Sequence, residues 1–286
     1  MTLAPVRAKV ERFAAMGTRV ELHRFGPGAD DALAQARRAV AAVDDALTIH
    51  RRSPVTMLNA QLLAGRRAAI DDPLLFDALV EVAAAHRRTL GLFDPAADRG
   101  TGATWGAIAF DPDGAWLEAS RPLALDFGGF GKGFALDRAG AALRAAGVTS
   151  ACLSAGESSL AVVGEHPLGG GWPFAVPHPL APERSLVELE LLDQSLSISA
   201  TVGAGVDAPE RAAMIRPSDG AIVTGACCTV AVERTGARAE AMSTALLVAD
   251  VERADRLRAG APDRRLRFCF ARPSAASPSS NRMQVQ

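Results

Sequence analysis

The 286-residue sequence has no tyrosine and only two lysines, Lys9 and Lys132, so nearly all of its positive charge is arginine. It also lacks a charge excess: 31 basic residues against 32 acidic ones give a formal net charge of −1. That balance excludes whole-molecule attraction to nucleic acid or to an anionic membrane, and any anion site must be local. No apolar run reaches transmembrane length, and the start of the chain shows neither a signal-peptide core nor a lipid-accepting cysteine, so a cytoplasmic protein is expected. The four cysteines, Cys152, Cys227, Cys228 and Cys269, include no Cys-x-x-Cys pair, which argues against a zinc or thioredoxin-like motif. Each lies in an apolar, strand-like stretch, and the expectation is four free, buried thiols in a reducing compartment. Adjacent Cys227 and Cys228 would face opposite sides of a strand.

What is present reads as α+β, with mixed sheets flanked by helices, in one domain over residues 1–272 followed by a disordered Ser/Ala/Pro-rich tail over 273–286. Residues 11–25 alternate like strands around Met16-Gly17-Thr18. Leu33, Ala36, Val40, Val43 and Leu47 recur at helical spacing, and residues 48–60 read as irregular and polar. Asp72-Pro73 starts a helix that Gly91 ends, and residues 92–120 read as loop with short strands. Leu123 to Asp126 reads as a strand entering a glycine run, and Phe134 to Ala146 as a helix closed by Gly147. Short strands follow over 150–155, 159–164, 172–176, 185–191 and 195–200, then a strand at Cys227–Glu233, a helix at Arg238–Asp250, a second at Val251–Ala259, and a last strand over Arg267–Ala271.

Two stretches carry chemistry. The first is Asp126-Phe-Gly-Gly-Phe-Gly-Lys-Gly133, between a strand and a helix. Glycines let a backbone approach a ligand closely, and the amides at a helix start point at an anion, so a diphosphate suits this loop and Lys132 adds charge. It is neither a Walker A loop, since Gly follows the lysine, nor a G-x-G-x-x-G run. Such turns are about as often purely structural. Lys132 reads equally well as a required compact ammonium or as a lysine that merely survived the arginine bias. The second stretch is Glu240-Ala-Met-Ser-Thr244. Four residues apart on a helix, Glu240 and Thr244 project from one face, and a carboxylate with a hydroxyl suits magnesium. Alone, this pair is weak: a helix with a Glu and a buried Thr is usually only a helix.

Eight motifs in order over about residues 13 to 270 resemble the FAD:protein FMN transferases of the ApbE type. They are Met16-Gly17-Thr18, Ser53 to Asn59, Gly91-Leu-Phe-Asp-Pro95, Asp126 to Gly133 with Phe134-Ala-Leu-Asp137 after it, Ser154-Ala-Gly156, Ala200-Thr-Val-Gly203, Pro217-Ser-Asp-Gly220 and Glu240 to Thr244. The resemblance implies FAD as ligand or substrate, Mg²⁺ as metal, and a flavin-acceptor protein as partner; the charge balance and the lack of a membrane-length run imply no nucleic acid and no membrane. It implies transfer of FMN from FAD to a Ser or Thr hydroxyl with release of AMP. The alternatives are an FAD-binding paralogue without activity, or an FAD pyrophosphatase yielding FMN and AMP. Carried over, Asp126 and Lys132 contact FAD, and the Gly129 carbonyl, Glu240 and Thr244 bind the metal. Met16, Leu92, Phe93 and Asp94 line the flavin or adenine pocket, and Ile215 joins the cofactor-binding set.

The departures from the family pattern fall on the catalytic part. Glu240 stands where the family has Asp, and Val202 replaces the Ser of Ala-Thr-Ser-Gly. Ala213 occupies the position of a His proposed to act in catalysis, and no side chain here is assigned that role. A family Tyr that packs on the cofactor has no equivalent, with Ile49 or His50 nearest in sequence.

Overall fold

The structure, a computed structural model, describes residues 7–97, 102–202, 214–223 and 225–270. Its elements in chain order are β1 (Lys9–Ala15), β2 (Thr18–Phe25), α1 (Ala32–Leu47), α2 (Pro54–Leu63), β3 (Ala68–Ala69), α3 (Pro73–Arg88), β4 (Ile108–Asp111), β5 (Trp116–Ala119) and α4 (Gly131–Ala145). There follow β6 (Ser150–Ala155), β7 (Ser159–Val163), β8 (Trp172–His178), β9 (Ala181–Leu191), β10 (Ser195–Ala200), β11 (Cys227–Glu233), α5 (Gly236–Val248), α6 (Val251–Arg258) and β12 (Arg265–Cys269). The class is α+β, as the mixed order of elements predicts.

Seven strands form the main sheet in the order β1-β2-β6-β7-β10-β11-β12, and every described pairing is antiparallel. The β1–β2 hairpin turns on Met16 and Gly17, both at positive φ (55° and 68°), which is the backbone of a two-residue type I′ turn. Helices α1, α4 and α5 cover one face, and the β8–β9 hairpin packs on part of the other. Strand β11 is therefore buried on both sides: Ala231 belongs to the core under the helices, whereas Val230 and Val232 meet Trp172, Val176 and Leu191. On α1 the small residues Ala32 and Ala36, with Val40 and Val43, are fully buried and let the helix sit close against α4. Each completely buried Val or Leu in this layer contributes about 1.5–3 kcal/mol.

Three local expectations are corrected. Residues 48–60 are not irregular throughout, because α2 begins at Pro54 behind a capping box. Ser53 Oγ accepts from the Thr56 amide (3.1 Å) while Thr56 Oγ1 accepts from the Ser53 amide (2.8 Å). Thr thus does at the third helical position what Glu or Gln usually does. Residues 123–126 belong to no sheet. The Asn59 side chain takes both backbone groups of Leu125 (2.9 and 2.8 Å), and the Asp126 amide bonds the Pro95 carbonyl (2.8 Å). A side-chain amide presents the same donor and acceptor as a neighbouring strand, so the segment is extended without one. Finally, α4 starts at Gly131 rather than Phe134, which places Lys132 in its first turn.

Candidate functional site

The glycine loop is held from below by aromatic rings. Phe93 and Phe134 each lie against Phe130, with ring centres 6.1 and 5.4 Å away, and Phe130 is completely buried. Asp126 Oδ1 accepts from the Gly128 amide (2.8 Å), which folds the chain into a turn before the helix. No side chain caps α4. The Gly131 amide turns back to the Phe127 carbonyl (2.7 Å) and that of Phe134 to Phe130 (3.1 Å). This leaves the Lys132 and Gly133 amides as free donors of the helix start, the kind of group that binds anions.

Two close approaches set α4 against α5 and against the β1–β2 turn. A Cβ on Gly133 would collide with the carbonyl of Gly236, and one on Gly236 would come within 2.5 Å of the Gly133 carbonyl oxygen. Asp137, one turn further along α4, accepts the amides of Gly236 (2.6 Å) and Ala237 (2.9 Å) and so caps α5 from outside. Burial raises its pKa to about 6 against those hydrogen bonds, and the carboxylates of Glu81 and Glu240 add to the rise. A Cβ on Gly131 would come within 2.7 Å of Met16 Cε, so the Met16 side chain lies on the loop while its amide bonds Asp44 Oδ1 (3.2 Å).

This packing brings Lys132 and Glu240 together. Lys132 Nζ lies 3.0 Å from Glu240 Oε1, and Ser159 Oγ donates to the same oxygen at 2.5 Å. Glu240 is buried, and its second oxygen, Oε2, has no hydrogen-bond partner among the described residues. One turn on, Thr244 Oγ1 would stand 3.3 Å from a Cβ on Gly129, so the loop and α5 meet there. The intervening Ser243 anchors α5 to the sheet through Ser197 (3.0 Å) and Ser199 (2.9 Å).

Met16, Gly17, Asp126, Gly128 and Lys132 share a cleft of about 260 Å³ with Asp44, Ile49 and His50. Pockets that enclose a drug-sized ligand hold roughly 300–1,000 Å³, so this cleft is smaller than such a pocket. A larger hollow of about 820 Å³ between α2, β3 and the start of α3 contains none of the expected site residues. Leu92 and Phe93 are buried beneath the loop. The Asp94 side chain is also buried and braces its own chain, with the Ala96 amide at 2.9 Å and the Trp105 amide at 2.9–3.0 Å. Burial raises its pKa in spite of these bonds and of His86 nearby. Ile215 forms an isolated bridge with Ile222 and does not line the cleft. Ala213 and Gly203 lie outside the described residues, as does the tail from 273.

Among the described residues, no group of three His, Cys, Asp or Glu side chains could hold a metal. The expected ligands are instead one carboxylate, one hydroxyl and one backbone carbonyl, all oxygen. Sequence reasoning missed Ser159, for which a serine in a β-strand offers no signal. It also missed the role of Asp137, although that residue closes the quoted Phe-Ala-Leu-Asp run.

The overall α+β fold is shared with solved flavin transferases. The chain is similar to the flavin transferase ApbE from Vibrio cholerae (TM-score 0.75, 17% identity, covering 93% of this chain and 97% of that one). It is also similar to the apo form of the Pseudomonas stutzeri flavinyl transferase ApbE (0.78, 21%, 96% and 93%) and to the apbe protein of Thermotoga maritima (0.75, 17%, 92% and 94%). A sequence model of the ApbE family matches residues 16–266, and the chain belongs to that family. No curated protein matches it. No helix of the described residues is long and apolar enough to cross a membrane.

Proposed function

We propose that this chain binds FAD together with Mg²⁺ and transfers FMN from FAD to a Ser or Thr hydroxyl of an acceptor protein, releasing AMP. The observation that carries the reading is Glu240 Oε2, a buried carboxylate oxygen without a partner. It lies one helical turn from Thr244, which itself meets Gly129. The other oxygen of Glu240 is paired with Lys132 and Ser159, but a buried carboxylate oxygen left without a partner is costly, and hard oxygen ligands of this type suit a divalent cation. Glu240, Thr244 and the Gly129 carbonyl therefore fit the metal, which when bound supplies charge neutralisation for the diphosphate.

The protein's own groups do the rest by positioning. The free amides at the start of α4 receive phosphate oxygens. Lys132 keeps two of its three donors beyond the Glu240 contact and places them in the same cleft. Asp126, itself an anion, is suited to hydroxyl or amino groups of FAD rather than to its phosphates. Met16 offers an apolar surface to a ring, and the buried Phe93 and Asp94 act by supporting the loop. In the transfer, the acceptor oxygen forms a bond to the FMN phosphorus as the bond to the AMP oxygen breaks. The hydroxyl proton is lost. His50, a histidine that lines this cleft beside Asp44 and Asp126, is the group we assign to receive it.

Ala213, at the position of the family His, favours a second reading in which FAD is held but not turned over. Calorimetry with FAD in Mg²⁺ and in EDTA tests the binding. In-gel flavin fluorescence on a peptide carrying Asp-x-x-Ser/Thr-Gly-Ala-Thr tests the transfer. Tight Mg²⁺-dependent binding with a labelled peptide is the expected result. Binding without product leaves the carrier reading, free FMN and AMP indicate a pyrophosphatase, and no binding at tens of micromolar removes all three.

A further inference from the structure

We propose that Cys227 and Cys269 are a thiol modification site: they form a cross-strand disulfide when the chain meets a disulfide oxidant such as oxidised glutathione. The two residues sit directly opposite each other on the antiparallel strands β11 and β12. The Phe270 amide donates to the Ala226 carbonyl at 2.8 Å, which makes Cys227–Cys269 a non-hydrogen-bonded pair. In such pairs the Cα atoms are roughly 4.5 Å apart, inside the roughly 4.4–6.8 Å that a disulfide spans. The Sγ atoms are already in contact at 2.9 Å, so neither strand has to move. The other two cysteines have no such counterpart. Cys228 faces the opposite side of β11, and Cys152 on β6 stands across from His23 and Val162.

The environments of the two thiols set the order of events. The expectation of four buried thiols is corrected here: Cys227 and Cys228 are buried, but Cys152 is half-buried and Cys269, on the edge strand, is exposed. Burial, then Cys269 itself, pushes the Cys227 thiol up to about 11, while Arg267 acts in the opposite direction. Cys269 is therefore the accessible nucleophile. Its thiolate attacks one sulfur of oxidised glutathione, giving a mixed disulfide and one glutathione thiolate. Cys227 then gives up its proton and attacks Cys269 Sγ, expelling the second glutathione thiolate. Two protein thiols become one disulfide, and one oxidised glutathione becomes two reduced ones. The covalent loop from Cys227 to Cys269 contains α5, with Glu240 and Thr244, and ties the edge strand β12 to its neighbour.

The test uses the full chain, equilibrated with oxidised glutathione, blocked with N-ethylmaleimide and mapped by peptide mass spectrometry. The expected result is a Cys227–Cys269 cross-linked peptide with Cys152 and Cys228 alkylated, and a melting temperature raised by roughly 5–10 °C that dithiothreitol reverses. Cys228→Ser should behave like the wild type, and Cys269→Ser should leave Cys227 alkylated. Four alkylated cysteines after oxidation, a lasting glutathione adduct on Cys269, or a bond between Cys227 and Cys228 would each overturn the proposal. Should Cys269→Ser fail to fold, the wild-type peptide map decides alone.

Discussion

Gly133 and Gly236 pack backbone against backbone, and the carbonyl of Gly236 fills the space that a side chain on Gly133 would need. This contact aligns the starts of α4 and α5, and everything in the site that joins the glycine loop to Glu240 depends on it. The second glycine of the Gly-Lys-Gly run thus serves a helix–helix contact. Gly133→Ala should cost about 3 kcal/mol, the upper end for overpacking, since a backbone neighbour offers no flexible side chain to yield. Gly129→Ala meets only the Thr244 side chain and Phe93, at 3.3 and 3.7 Å, and should cost less than about 1 kcal/mol. Urea midpoints compare the two, and equal small losses would show that α5 can retreat from α4.

Lys132→Ala should destabilise the protein as well as weaken FAD binding. Glu240 is buried and Lys132 is only 24% exposed, so removing the ammonium strands a carboxylate in the interior. A loss of about 2 kcal/mol is expected, with more than half of it recovered in the Lys132→Ala/Glu240→Gln double variant. Denaturant unfolding of the two singles and the double gives the coupling directly. A role confined to the diphosphate predicts no change in unfolding at all.

Asn59→Leu keeps the size of the side chain but leaves the amide and carbonyl of Leu125 without partners in a buried setting. Each stranded group costs about 1–3 kcal/mol. The expected sum for the two groups is roughly 2–6 kcal/mol, accompanied by faster hydrogen exchange of the Leu125 amide. A fully protected amide in the variant would mean that another group has taken over from Asn59.

Asp137 gives a pH dependence of defined sign. Its folded pKa, about 6, lies above its unfolded value. The folded state therefore binds the extra proton between about pH 4 and pH 6, and the associated stability is present at low pH and lost as pH rises through 6. The loss is on the order of 2–3 kcal/mol. Asp137→Asn carries no such proton, so the stability difference between wild type and variant should shift against the wild type from pH 4 to pH 7. Urea unfolding of both proteins across that range measures it, and parallel curves would rule out a raised pKa.

Much of this protein can be read from short-range rules. Gly17 supplies a positive φ of the kind a two-residue hairpin turn needs, and the spacing from Leu33 to Leu47 allows one buried face of a helix. The glycine run before α4 and the four-residue step from Glu240 to Thr244 point to an anion cradle and a pair of oxygen ligands. These features depend on residues within one or two turns of each other. The start of α2 was also local, but a Thr in place of Glu hid its capping box.

Only the tertiary structure decided which of these pieces meet. Nothing local to Lys132 specifies Glu240, and nothing local to Ser159 marks it as the hydroxyl that shares the same carboxylate. Residues 123–126 have the pattern of a strand, yet Asn59, far away in sequence, completes their hydrogen bonds. Cys227 and Cys269 became a facing pair because β11 and β12 adopt one register out of several that their apolar patterns permit. Backbone conformation follows from neighbours along the chain, whereas these partnerships follow from how α4, α5 and the sheet close-pack, a condition that the whole chain satisfies at once.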